Sequence, residues 1–199
     1  MNVTPQAHVE VVLPQRAPQR AAAAAVVELA PWIERRLAEA RAALARLPGR
    51  DGTVPYLDAQ LVLVAQPGRK RVRRDGDRLL VGDGDVRDAV ERYYRQRARI
   101  EVAARLDRAT ASTGRPYTGL AIRAQRTRWA SCSARGLMSF NWRLMLAPER
   151  VLDYVVWHEV CHLEVLDHSP RFWALLERYY PDYREDRRWL AANGATLVI

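Results

Sequence analysis

The sequence predicts a mixed α+β fold, and three observations carry the prediction. Stretches of helical composition, rich in Ala, Leu, Glu and Arg, are interspersed with short β-prone runs. No internal repeat, low-complexity linker or clear boundary divides them. At 199 residues the chain has the length of one domain, or of one domain with a substantial subdomain. We expect a single domain over residues 1–199, with a strand, helix and hairpin region over 1–115 and a second region over 116–199.

The elements follow in order. HVEVVLP (8–14) reads as a short strand. The Ala-rich segment 20–47 reads as helix, broken or kinked at Pro31, and PGRDG closes it as a loop. AQLVLVA (59–65) is β-prone, and KRVRR and DRLLVGD form a hairpin through Asp75-Gly76. Residues 86–113 read as a helix with Val90, Tyr93, Tyr94, Ala98, Ile100, Val102 and Leu106 as its larger apolar positions. GLAIRAQ (119–125) is a second β-prone run. LMSFNWRLML (137–146) alternates Met138, Phe140, Trp142 and Leu144 against Ser139, Asn141 and Arg143, the pattern of a half-buried strand. Pro148 starts the next helix. Ser169-Pro170 supplies an N-cap and a proline at the first helical position. A last helix runs from near Pro181 to a C-cap at Asn193-Gly194.

Composition narrows the class. No apolar run approaches the roughly 18 residues that a membrane span needs. The N-terminus lacks the basic start, apolar stretch and cleavage site of a secretory signal, so a cytoplasmic location is expected. Cys132 and Cys161 are too few for a disulfide framework and form no CxxC pair, so reduced thiols are expected. A net charge of +9 and a pI near 10.2 raise nucleic acid as a partner. That support is weak, because the charge is almost all arginine, Lys70 being the single lysine, and acidic residues are interspersed with it. Residues 151–199 carry 5 basic against 8 acidic side chains, so the positive excess lies in the first 150 residues.

The chemistry sits in VVWHEVCHLEVLDHSPRFW (155–173), which holds three of the chain's 4 histidines. Residues four apart on a helix lie one above the other, so His158 and His162 present two imidazoles on one face. Glu159 stands about 100° around the helix, beside an ion rather than on it. This is the His-Glu-x-x-His arrangement of zinc hydrolases, with Glu159 as general base. A catalytic zinc takes three protein ligands and an open position, and His168 is the natural third. Metzincins place a third histidine at the same interval with a glycine midway. Here that position is Val165, so this is not a metzincin and the turn must be made differently. A closed structural site would need a fourth ligand, but Cys161 points about 60° from His158 and about 100° from His162. Spacing does not name an oxyanion donor among Tyr154, Tyr179, Tyr180 and Arg171.

RTRWASCSARGLMSFNWRL, followed by His-Glu-x-x-His and a distal His-Ser-Pro-x-Phe-Trp, closely resembles the YgjP-like metallopeptidase-domain family. The resemblance is dense over 126–190 and looser toward the N-terminus. These are zinc-dependent hydrolases of the zincin type, similar to the SprT and Spartan proteases. The resemblance implies a zincin-like core whose active-site helix packs on a small β-sheet, within 116–199. It further implies one Zn2+ per chain on His158, His162 and His168, Glu159 as catalytic base, and a peptide or protein substrate. Ala130 replaces the family's usual glycine. In the comparison with SprT and Spartan, the 137–146 strand lies beside the cleft and could pair with an extended substrate. Trp129, Cys132 and Trp142 read more simply as core packing, Phe172 and Trp173 as anchors of the helix after His168, and His8 as remote from the site. Two other functions stay open: a nucleic-acid-associated zincin module tethered through 69–74, and a catalytically silent zinc-binding interaction domain.

Overall fold

A computed structural model describes residues 2–3, 9–11, 18–45, 52–125 and 127–199. The architecture is α+β, and it divides into two compact units: Met1–Val54 with Leu61–Val90 and Ile199, and Pro55–Gln60 with Glu91–Val198.

In the first unit, strands β1 (Asn2–Val3) and β2 (Val9–Glu10) pair antiparallel. Of the expected strand 8–14, His8 and residues 12–14 lie outside the described residues. The Ala-rich segment forms two helices, α1 (Gln19–Glu28) and α2 (Ala30–Ala45). The break falls at Leu29. Pro31 sits in the first turn of α2, where its missing N–H removes no helical hydrogen bond. Strands β3 (Thr53–Tyr56), β4 (Ala59–Ala65), β5 (Arg73–Asp75) and β6 (Arg78–Val81) form a sheet in the order β3-β4-β6-β5. β3 was not expected, because Pro55 within TVPY argues against a strand. The β5–β6 hairpin pairs Asp75 with Arg78, so Gly76 and Asp77 make the turn, Gly76 at φ +60. Leu61 and Leu63 of β4 and Leu79 and Val81 of β6 point to one buried face.

The second unit takes most of α3 (Val86–Thr113). Its buried stripe is Tyr94, Ala98, Val102, Leu106 and Ala109, at helical spacing. Ile100 falls off that stripe and is 48% exposed. Strands β7 (Gly119–Arg123), β8 (Ala130–Cys132) and β9 (Leu137–Asn141) form a sheet in the order β7-β9-β8, with β9 parallel to β7 and antiparallel to β8. The expected strand 137–146 stops at Asn141. That side chain accepts the Arg143 N–H at 3.2 Å and starts a 3-10 turn over Trp142–Leu146. Trp142, Leu144 and Met145 remain buried, but in a turn.

Helices α4 (Glu149–Cys161), α5 (Pro170–Tyr179) and α6 (Tyr183–Asn193) complete the unit. The Asp58 carboxylate accepts the Glu149 N–H at 3.1 Å at the start of α4. Arg105, 5% exposed, ties α3 to α4 by pairing with Glu101 and Asp153 at 2.7 Å each and with Glu149. Asp186, buried on α6, pairs with Arg150 of α4 and accepts the Tyr180 hydroxyl at 2.8 Å. Two clamps therefore fix α4, which also lies against β8 of the small sheet. Gly194 is the C-cap of α6 without being left-handed: its φ is −55 and the chain continues into a 3-10 turn over Gly194–Thr196. Glycine is favoured there by packing, since a Cβ would come within 2.8 Å of Trp129 Cζ2 and force the indole to shift. Among the described residues no helix is long and apolar enough to cross a membrane.

Candidate metal centre

His158 and His162 stand one turn apart at the end of α4, His162 being its C-cap. Beyond it the chain reverses without a left-handed residue: the Glu164 and Val165 N–H groups both close on the Cys161 carbonyl, at 3.1 and 3.0 Å. This is how the turn dispenses with the midway glycine. The Val165 carbonyl in turn accepts from His162 Nδ1 at 2.8 Å, which directs His162 Nε2 outward. His168 returns just before the start of α5 and completes the group. The three Nε2 atoms are separated by 3.2, 3.2 and 2.9 Å. A tetrahedral ion with imidazole ligands at about 2.0–2.1 Å holds any two donors about 3.3–3.4 Å apart, so the triad is spaced to grip one ion.

Burial sets the charge state. His158 is lowered to about 3, chiefly by burial and then by His162 and His168. His162 is also lowered, by burial first, against the opposing Val165 carbonyl. Neutral imidazoles are the form that ligates metal. Glu159 is 5% exposed, and its pKa is pushed up to about 8 by burial, opposed by the Cys132 backbone N–H and by Arg128. Its Oε2 is buried without a hydrogen-bond partner. Such an orphaned oxygen is costly in a protein interior. A cation and its bound solvent would satisfy it, so the donor set fits a zinc-type ion.

The other expected residues are placed as follows. Cys161 is buried, its thiol raised to about 12 by burial, and it is not among the converging donors. Tyr154 is buried. Tyr154 meets His158 edge-on at 5.9 Å, whereas Tyr179 stacks on Trp157 at 5.2 Å. The Tyr180 hydroxyl is engaged by Asp186 and the Arg150 carbonyl, and Arg171 pairs with Glu164 at 3.3 Å. Trp142 is core, stacked on Tyr94. Two features were missed by sequence reading. The Cys132 backbone reaches Glu159, and Phe172 lies against all three imidazoles. The expected substrate pairing of 137–146 is corrected, because β9 is the central strand with both edges occupied. The edge strand beside Glu159 is β8.

A helix bearing two imidazoles one turn apart, closed by a third from the following turn, defines an α+β protein with the ligand set of metal-dependent hydrolases. The chain belongs to the YgjP-like metallopeptidase-domain family, whose model matches residues 1–193. Membership supports a metal-dependent hydrolase acting on peptides. No curated protein matches the chain. Among solved structures it is similar to the metallopeptidase zymogen of Pyrococcus abyssi abylysin, at 23% identity and a TM-score of 0.41, over 46% of this chain and 93% of that one. It is also similar to the metallopeptidase zymogen of Methanocaldococcus jannaschii jannalysin, at 17% identity and a TM-score of 0.41, over 46% of this chain and 94% of that one.

Proposed function

We propose that the chain is a zinc peptidase that holds one Zn2+ through His158, His162 and His168 and uses Glu159 as general base. The observation that carries this reading is the convergence of three imidazole nitrogens beside a buried carboxylate with an orphaned oxygen. When bound, the ion supplies a nucleophile at neutral pH and polarises the scissile carbonyl. Glu159 takes up a proton at Oε2 and delivers it to the leaving amine. Three protein ligands leave a fourth position for reactants.

The substrate backbone pairs with β8. Trp129 and Ser133 bond to Asn141 and Leu137 of β9, and Ser131 faces Ser139. By antiparallel alternation, the N–H and C=O groups of Ala130 and Cys132 turn to the opposite edge. Cys132 N–H serves Glu159 there, and Ala130 offers its pair to an extended peptide. Residues 1–199 form one zincin domain, with 116–199 as its metal-binding core. The protein works in the cytoplasm, where the free Cys132 and Cys161 would stay reduced. Nucleic acid is a subordinate second partner, favoured by the exposed side chains of Lys70, Arg71 and Arg73 in one loop and edge strand; duplex binding that weakens steeply with salt would support it.

The test is cleavage of a complex peptide mixture, read by mass spectrometry, with zinc-loaded wild type and Glu159→Gln. The variant should retain its metal and lose about 10²–10⁴-fold in rate. Equal cleavage by both would remove Glu159 from the mechanism. Metal binding without cleavage by either would favour the silent interaction domain.

A further inference from the structure

Metal-bound histidines are ordinarily oriented by a hydrogen bond on the second ring nitrogen. This site has that device once, in the His162 Nδ1 contact to the Val165 carbonyl at 2.8 Å. His158 Nδ1 is buried and has no hydrogen-bond partner, and His168 is exposed. Something else must hold those two rings, because a free imidazole would spend its χ2 freedom on binding.

The first turn of α5 supplies it. Phe172 is fully buried, and its ring centroid lies 4.8 Å from that of His158, 4.5 Å from that of His162 and 4.9 Å from that of His168. It meets His162 nearly parallel, at 26°, and the other two edge-on, at 67° and 75°. Trp173 adds a nearly parallel contact to His168 at 5.7 Å. Offset-stacked and edge-to-face contacts at such distances are the favoured aromatic geometries.

We propose that Phe172 is a positioning residue for the metal site, one ring on which all three imidazoles are packed so that their Nε2 atoms converge before an ion arrives. The inference rests on the metal-site reading above. Phe172 touches neither ion nor substrate and acts only through the histidines.

The experiment compares zinc affinity, by competition against a chromogenic chelator, in wild type, Phe172→Leu and Phe172→Met. Phe140→Leu is the control, since Phe140 is equally buried but belongs to β9. Thermal melts of the metal-free proteins establish that each variant folds. Both Phe172 variants should lose about 10–100-fold in affinity, the range typical of residues that orient ligands, while Phe140→Leu stays within about threefold of wild type. Affinities of the Phe172 variants equal to wild type, or a loss no greater than that of Phe140→Leu, would overturn the inference and leave the metal site standing. Wild type that takes up no zinc would instead overturn the metal site, and the inference with it.

Discussion

Glu159 faces two opposed demands: it must be ionised to accept a proton, yet it is buried where ionisation is disfavoured. Its raised pKa of about 8, against an ordinary 4.5, means that the metal-free folded protein holds a proton which the unfolded chain releases. Metal-free stability therefore falls as pH rises from 4.5 toward 8. His158 works in the opposite sense. Lowered from 6.5 to about 3, it stays neutral in the fold while the unfolded chain takes up a proton, so stability falls as pH drops below 6.5. Between 4.5 and 6.5 the two contributions offset each other, so metal-free protein should be most stable in that window and lose stability on either side. Glu159→Gln cannot ionise, so in chelator-treated protein at pH 8 it should raise Tm by about 4 °C or more, and at pH 5 it should change little. Melts at the two pH values check this, and equal shifts at both would mean that the carboxylate is not strained by burial. The three histidines that converge were legible as a group from their spacing. The Phe172 shell and the Cys132 N–H were not, because both depend on where α5 and β8 dock, which no local pattern encodes.

Proline and capping signals located the helices well. Pro31, Pro148 and Pro170 each lie at or next to a helix start, where a missing N–H removes no bond. The strands were less legible. Pro55 hid β3, and the apolar alternation of 137–146 continued into a 3-10 turn, because Asn141 caps the backbone locally while the same side chains stay buried. Which strand is the edge is fixed by pairing between strands rather than by the pattern within one, so the apolar alternation of 137–146 does not reveal that β9 is central and β8 an edge. Gly194 carries a prediction at this scale. Its glycine was read correctly as a helix stop but for a different reason, the approach of Trp129. Gly194→Val would force that indole aside and should cost about 1–3 kcal/mol, measured by denaturant unfolding. No loss would mean that Trp129 yields freely.

At the scale of the molecule, the family relationship spans residues 1–193, yet every group proposed for catalysis lies in the second compact unit. Within it, Arg105 and Asp186 lock α4 to α3 and α6, β8 supports the carboxylate, and α5 brings Phe172 under the imidazoles. This arrangement explains how three short segments, separated in sequence, deliver a preorganised site. The central claim is that His158, His162 and His168 together hold one zinc. Elemental analysis of untagged wild type and His168→Ala tests it most directly. Wild type should carry about one zinc per chain and the variant clearly less; wild type that stays metal-free after zinc is supplied, or a variant that retains its zinc in full, would overturn the three-histidine site.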